Sequence, residues 1–152
     1  RHYLPRLGRA EILGGFALTE PGSGSDAANL HVRADKDGDH YVINGQKKWN
    51  TNGGVASVFT VYALTEPEKG MGGISAFIVD KDTPGFTVGK REDTMGIRTV
   101  PVNELEFKDC RVPASQLLGG LTTASTLQCT DCHNSDATAA STPGRSSTCR
   151  FT

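Results

Sequence analysis

From residue 29 to residue 113 the sequence repeats short β-type segments that are separated by Gly, Pro, Asn and Asp. In NLHVRAD, the apolar residues Leu30, Val32 and Ala34 alternate with polar ones, which is the period of a strand buried on one face. ISAFIVD is almost continuously apolar, which predicts a strand that is covered on both faces. Strands at this spacing, with no convincing helical period between them, predict an all-β fold, a small antiparallel β-barrel or sandwich.

Turn signals and a short lead-in delimit the predicted strands. KDGD predicts one turn, and Asn44-Gly45 predicts a tight hairpin because both residues tolerate the positive φ of a type I′ turn. Residues 1–13 are expected to be a short lead-in, the end of an N-terminal helical region, although Pro5 opposes a regular helix. We take residues 14–120 as one β domain.

The composition changes abruptly after the predicted strands. No Lys lies beyond Lys108 and no Glu beyond Glu106, and Ser, Thr and Ala dominate residues 121–152. This segment has no helical or strand period and few large apolar residues, so we expect a low-complexity tail that is disordered or artefactual. Because the chain begins at Arg1 without Met or an apolar leader, we expect it to be a fragment of a longer protein.

The charge balance argues against some classes of partner. With 16 basic and 17 acidic side chains the net charge is −1, which gives no electrostatic reason to expect nucleic acid or an anionic membrane. Lys47 and Lys48 are expected on a solvated face. The longest apolar runs are far shorter than a membrane span, so we expect no membrane-crossing segment.

The segment FALTEPGSGSDAANL combines two glycines with Pro21, two serines and Asp26. It differs from the nucleophile elbow of hydrolases and from the dinucleotide fingerprint, because the glycine spacing is different and no helix pattern follows. An ordinary turn and an anion-binding loop both remain possible. The only Trp of the chain, Trp49, stands beside Asn50 and Thr51 at a strand end, where it can be a core residue or a platform for a flat ligand.

The four cysteines raise separate possibilities. In the tail, Cys129, Cys132 and His133 have the C-x-x-C-H spacing of covalent haem attachment, and together with Cys149 they are also a candidate zinc site. An artefactual tail, a metal-binding or redox tail and a haem site therefore all stay open. Cys110, in FKDCRV, is expected to be a free structural thiol.

Several separated stretches together resemble the middle domain of acyl-CoA dehydrogenases. They follow one another in the order of that family and are FALTEPGSGSDAANL, DGDHYVINGQKKWNTNGG, GISAFIVDKDTPGFTVGKRED, MGIR and FKDCRVPASQLLG. The resemblance covers about residues 3–120. It implies a β-barrel domain between two helical domains, in enzymes that use FAD to introduce an α,β double bond into acyl-CoA thioesters. It also implies electron transfer to an electron-transferring flavoprotein.

The resemblance further implies which residues contact the cofactor. In the family, the position of Thr19 hydrogen-bonds the flavin ring system, and that of Thr51 lies near the ring nitrogen that receives hydride. The loop at Ser25 approaches the flavin phosphates and the substrate, and Ser25 itself contacts acyl-CoA. The cofactor-binding residues implied in this way are Phe16, Ala17, Leu18, Thr19, Gly22, Ser23, Gly24, Ser25, Trp49, Asn50 and Thr51.

Two departures from the family pattern bear on function. Asn50 stands where the family usually has a β-branched residue, and a buried position would need new hydrogen-bond partners for it. The catalytic base of the family is a Glu of the C-terminal helical domain, whereas this chain has no Glu beyond Glu106. We therefore assign no catalytic residue and expect the chain alone to be inactive. The alternative is a non-catalytic β-barrel binding module; for full-length members we expect a homo-oligomer in the bacterial cytoplasm or the mitochondrial matrix.

Overall fold

The computed structural model describes residues 2–119, and strands are their main regular element. One helix, α1 (Tyr3–Gly8), precedes the sheet, and 3-10 turns lie at Pro67–Gly73 and Ala114–Gln116. In the described range no helix has the length and apolar character needed to cross a bilayer. The predictions for Cys129, Cys132, His133 and Cys149 lie outside the described residues. The strands are β1 (Gly14–Ala17), β2 (Arg33–Asp37), β3 (His40–Thr51), β4 (Val58–Leu64), β5 (Ile74–Asp80), β6 (Phe86–Arg91), β7 (Val102–Pro113) and β8 (Leu117–Leu118).

All eight strands belong to one sheet, in the order β6-β7-β3-β2-β4-β5-β8, with β1 beside β4. β4 pairs in parallel with β1 and, at a single position, with β2, whereas the other pairings are antiparallel. The all-β class is therefore confirmed, but the sheet is mixed rather than purely antiparallel. Parallel pairing requires a long connection between the paired strands, and between β1 and β4 this connection contains β2 and β3. Over residues 2–119 the strand order stays open and does not close into a barrel.

The main core is formed by aromatic and β-branched side chains from most of the strands. Tyr41 packs on Phe77 with ring centroids 5.0 Å apart, and Phe86 lies 5.1 Å from Phe59 and 5.2 Å from Phe107. The alternation predicted for residues 29–35 is confirmed, because its three apolar side chains are all buried. The double-sided burial predicted for ISAFIVD is also confirmed, since five of its first six residues are buried.

Asn44-Gly45 does not form the predicted hairpin. β3 continues through both residues, and the chain reverses instead at Gly38, within KDGD, where φ is +58°. Opposite Asn44, β7 has one residue more than β3, a β-bulge at Asp109, whose N–H donates to Asn44 Oδ1 at 2.8 Å. Gly45 does adopt a positive φ, +133°, and there it lets the backbone approach Val32, whose Cγ2 would lie 2.8 Å from an added Cβ.

Tyr3 fixes α1 to the sheet. Its hydroxyl donates to Asp80 Oδ2 at 2.8 Å and accepts from Gln116 Nε2 at 3.0 Å. Burial, and then the carboxylate of Asp80, raise the pKa of Tyr3, so the hydroxyl stays protonated as a donor. The lead-in expected at residues 1–13 is therefore a short helix that is attached to β5 and to the 3-10 turn before β8.

Gly38 and Gly45, which both have a positive φ, should respond differently to replacement by alanine. Gly38→Ala places a methyl group in open space at φ +58°, so it should lower the free energy of unfolding by about 1 kcal/mol. Gly45→Ala adds a clash with Val32 and holds alanine at φ +133°, outside the left-handed α region, so we expect a loss of about 3 kcal/mol. Urea unfolding of both variants measures the difference. Equal losses would contradict the close packing of Gly45 on Val32.

Candidate functional site

A buried ion pair joins the loop after β1 to β3. Lys47 is 0% exposed and Glu20 is 3% exposed, and Nζ of the lysine lies 2.8 Å from Oε1 of the glutamate. The ammonium also donates to the main-chain oxygen of Leu18 at 2.9 Å. The expectation that Lys47 faces solvent is wrong, because it shares the inward side of β3 with Tyr41 and Ile43. A lysine there needs polar partners around its ammonium, and the loop supplies them.

Glu20 also holds the segment that leads into β2. Its Oε2 accepts the N–H of His31 at 2.6 Å, and its Oε1 accepts the N–H of Val32 at 3.0 Å. One carboxylate therefore connects the loop, β3 and the start of β2. Burial lowers the pKa of Lys47 from its ordinary value of 10.5 to about 8, while the hydrogen bond and charge of Glu20 act in the opposite direction.

The loop contains a compact turn that starts at Glu20. Glu20 and Ser23 exchange backbone hydrogen bonds of 2.9 and 3.2 Å, and the buried Ser23 hydroxyl donates to the main-chain oxygen of Asp26 at 2.6 Å. Gly22 and Gly24 are exposed, and a Cβ added to either would meet nothing within 4 Å. The Ser23 hydroxyl is thus engaged inside the loop, whereas the two glycines present open backbone.

Ser25 lines a cleft of about 430 Å³ beside this loop. Phe16, Leu18, Tyr62 and Met71 also line it. Phe16 is exposed and its ring centroid is 5.2 Å from that of Tyr62. The cleft therefore combines a hydroxyl at its edge with apolar and aromatic walls.

A second β-bulge, this time in β3, determines the direction of Trp49. Lys47 pairs with Leu105 and Asn50 pairs with Asn103, so β3 has one residue more than β7 between these two pairs. Trp49 lies in this bulge with φ +56°, and its side chain is 53% exposed. Without the bulge, strict alternation would turn Trp49 inward after Lys47. With it, Asn50 takes the inward position, and the alternative that Trp49 is a core residue is excluded.

Asn50 has found the partners that burial requires. It is 2% exposed, and its Nδ2 donates to the main-chain oxygen of Asn103 at 3.0 Å. Its own main-chain oxygen accepts the N–H of Gly53 at 3.1 Å. Asn103 in turn donates through Nδ2 to the main-chain oxygen of Gly89 at 3.2 Å. The departure from the family pattern at this position is therefore compatible with burial of the Asn50 amide, although Oδ1 of Asn103 stays buried without a hydrogen-bond partner.

One backbone hydrogen bond brings the two predicted stretches together. The N–H of Lys48 donates to the main-chain oxygen of Thr19 at 2.8 Å, and Trp49 is the next residue along β3. Thr19 is half-buried and Thr51 is exposed, whereas Ala17 is fully buried. Exposed side chains of both stretches therefore lie at neighbouring places on the surface, while Ala17 can offer only its backbone.

Sequence reasoning missed the inward roles of Lys47 and Asn103. For Lys47 the strand alternation is a signal, because Lys47 lies an even number of residues after Tyr41 and Ile43, which point inward. For Asn103 there was none, since its contact with Asn50 depends on which strand pairs with β3 and in which register. Both omissions concern polar groups that become buried only through long-range pairing.

Cys110 agrees with its prediction. It is a free cysteine and fully buried, and burial raises the pKa of its thiol to about 11, so the thiol stays protonated and unreactive. In the part of the chain that the structure describes, no group of three His, Cys, Asp or Glu side chains is arranged to hold a metal ion.

Removal of the Asn50 side chain should destabilise the domain. Asn50→Ala leaves the buried main-chain oxygen of Asn103 without its donor, so we expect a loss of about 2 kcal/mol in the free energy of unfolding. The matched control is Asn44→Ala, which frees an exposed backbone donor and should cost at most about 0.5 kcal/mol. Urea unfolding compares the two, and a smaller loss for Asn50→Ala than for the control would contradict the assigned role.

Lys47 should make stability depend on pH. Its pKa is about 8 in the fold and 10.5 ordinarily. Between these values the unfolded chain binds one proton more, so the free energy of unfolding rises with pH, by up to about 3 kcal/mol. The double variant Lys47→Met/Glu20→Gln, which leaves no unpaired buried charge, should lose this rise, whereas Lys81→Met, which removes an exposed ammonium, should keep it. Urea unfolding from about pH 7 to 10.5 measures it; identical profiles for the two variants would contradict the lowered pKa.

The comparisons with known proteins agree with this architecture. A family model described as acyl-CoA dehydrogenase, middle domain, matches residues 15–110. The acryloyl-CoA reductase (NADH) of Anaerotignum propionicum is 53% identical over 119 residues, which make up 77% of this chain and 30% of that protein. An acyl-CoA dehydrogenase of Bacillus subtilis is 50% identical over 117 residues, with 77% of this chain and 31% of that protein covered.

A solved structure extends the comparison to three dimensions. Butyryl-CoA dehydrogenase from Megasphaera elsdenii matches with a TM-score of 0.79 and 46% sequence identity, over 80% of this chain and 32% of that one. The chain spans about a third of the length of the curated relatives it matches. On the strength of the family model and of these matches, the chain belongs to the acyl-CoA dehydrogenase family and carries its middle domain.

Proposed function

We propose that this chain supplies the flavin-facing wall of an FAD-dependent acyl-CoA dehydrogenase, an enzyme that forms an α,β double bond in an acyl-CoA thioester. The observation that carries the proposal is the bulge of β3, which turns Trp49 out of the core beside Thr19, in the loop that follows β1. The ammonium of Lys48 lies 5.3 Å from the centroid of the Trp49 ring, yet about half of the side chain stays exposed. An indole held at a positive φ with this much free surface is a costly arrangement for a side chain without a further partner, and it suits a flat aromatic ligand.

The residues present fit an FAD molecule. Phe16 and Trp49 expose aromatic surface, and Thr51 exposes a hydroxyl on the same strand as Trp49. Gly22 and Gly24 leave the backbone of the loop open, which suits the close approach of phosphate groups to main-chain N–H groups. Bound there, FAD would supply the hydride acceptor that the reaction needs.

The chain's own residues would bind, orient and shield the cofactor and substrate. Trp49 would cover one face of the ring system and exclude water from it, and Thr19 and Thr51 would donate hydrogen bonds to polar atoms at the ring edge. Leu18 and the hydroxyl of Ser25 line the cleft proposed for acyl-CoA. These contacts position reactants and do not transfer protons.

Three of the proposed cofactor residues would act only through their backbone. Ala17 is fully buried, the Ser23 hydroxyl donates to the main chain of Asp26, and the Asn50 amide donates to that of Asn103. The side chains of these residues support the site from inside. This sharpens the proposal, since substitutions at Ser23 and Asn50 should act through stability rather than through lost contacts with FAD.

We assign no catalytic base to residues 2–119. The carboxylate of Glu20 is buried and accepts hydrogen bonds from Lys47, His31 and Val32, so it is not available to a substrate. The base, the electron-transferring flavoprotein as electron acceptor, the homo-oligomer, and a bacterial cytoplasmic or mitochondrial location all belong to the whole enzyme that we propose. In this proposal residues 14–120 act as its middle β domain.

The only Trp of the chain gives a direct test of FAD binding. Titration of the full 152-residue chain with FAD should quench the fluorescence of Trp49 by more than half and should raise the melting temperature. Trp49→Ala should weaken FAD binding roughly tenfold, measured by flavin fluorescence, whereas Trp49→Phe keeps an aromatic face and should lose less. Unchanged fluorescence and melting temperature at high FAD would favour the alternative, a non-catalytic β module.

A further inference from the structure

The peptide that joins Leu18 to Thr19 has a defined orientation in this structure. Its carbonyl oxygen accepts the Lys47 ammonium at 2.9 Å, on the buried side of the loop. The structure has no cis peptide bond, so the carbonyl of Leu18 and the N–H of Thr19 point in opposite directions. The N–H of Thr19 is therefore directed away from the buried lysine.

The ammonium of Lys47 is itself held in place by Glu20. Nζ lies 2.8 Å from Oε1, and the carboxylate is fixed in turn by the N–H groups of His31 and Val32. Both charged side chains are almost fully buried, so neither can swing into solvent without opening the loop. A chain of hydrogen bonds thus runs from the start of β2, through the two charges, to the peptide at Thr19.

We infer that Lys47 and Glu20 are positioning residues, which hold the peptide between Leu18 and Thr19 in the orientation that presents the Thr19 N–H to a flavin. The inference rests on the proposed function for the identity of the ligand. It goes beyond the proposed function because neither side chain reaches the ligand face, and it assigns the geometry of the binding loop to a pair of buried charges. A hydrophobic pair in their place could fill the space but could not hold the carbonyl of Leu18.

The backbone hydrogen bonds of the loop cannot replace the ion pair of Lys47 and Glu20. The hydrogen bond from Lys48 to the oxygen of Thr19 fixes the next peptide, and the bonds between Glu20 and Ser23 fix the turn that follows. Neither of these contacts restrains the carbonyl of Leu18. Loss of the ammonium should therefore free this peptide to rotate and, because Thr19 and Glu20 follow it directly, make the bonds of Lys48 and Ser23 to them open more often, while β5 stays intact.

The first experiment needs no ligand. Lys47→Met leaves Glu20 buried without its counter-ion, which is strongly destabilising, so it is paired with the double variant Lys47→Met/Glu20→Gln, which removes both charges. Amide hydrogen exchange of the double variant should be at least tenfold faster at Ser23 and Lys48 than in the unsubstituted chain, and unchanged in β5. Lys81→Met is the matched control, because its exposed ammonium also donates to a main-chain oxygen, that of Gly54 at 3.1 Å.

The second experiment separates positioning from stability. The double variant should recover most of the melting temperature that Lys47→Met loses, because no unpaired buried charge remains. Its affinity for FAD should nevertheless stay at least tenfold weaker than that of the unsubstituted chain, with Lys81→Met unchanged. Recovery of affinity together with melting temperature would show that the pair acts only through stability and would overturn the inference, as would unchanged exchange at Ser23 and Lys48.

The two proposals fail in different ways. If the unsubstituted chain binds no FAD, the proposed function is wrong, and the exchange experiment still decides whether the pair orders the loop. If the unsubstituted chain binds FAD and the double variant binds it equally well, the proposed function stands and the positioning role is wrong.

Discussion

The long antiparallel ladder between β3 and β7 is the interaction on which the rest of the structure depends. It contains two bulges of opposite sense, the first with an extra residue in β7 at Asp109 and the second with an extra residue in β3 at Trp49. The first leaves the inward and outward alternation of side chains along β3 unchanged, so that Lys47 stays on the inward side with Ile43. The second shifts this alternation by one residue, so that Trp49 points outward and Asn50 points inward. The exposed aromatic surface and the buried charge are therefore two results of one pairing register.

Burial of an ammonium and a carboxylate is costly, and replacement of such a pair by apolar residues is often neutral or stabilising. The pair of Glu20 and Lys47 is thus poorly explained as a stabilising contact alone. Its geometry suggests specificity instead, because each charge holds backbone groups that no regular strand pairing reaches: the oxygen of Leu18 on one side and the N–H groups of His31 and Val32 on the other. The loop has an irregular path and depends on side chains for the hydrogen bonds that a strand would obtain from its neighbour.

Most of the fold could be predicted from the sequence, because alternation and turn residues are local signals. The strands around Val32 and Phe77 and the reversal at Gly38 follow from such signals. The bulges could not be predicted, because a bulge depends on a residue count in two strands that lie more than fifty residues apart. For the same reason the sequence predicts a hairpin at Asn44-Gly45 and does not reveal that Lys47 and Asn50 are buried. The cofactor residues came from family resemblance, and the division into those that face outward and those that support from inside required the structure.

The contact of Tyr3 with both Asp80 and Gln116 has a topological consequence. Residues 113 positions apart in the sequence touch through one side chain, so the chain enters and leaves the β domain at almost the same point. Leu4 and Leu118 line one groove there, together with residues of β1 and β4. The first and last segments of the β domain therefore lie side by side on one edge. Such an arrangement lets a β domain be inserted between other domains without a long connection.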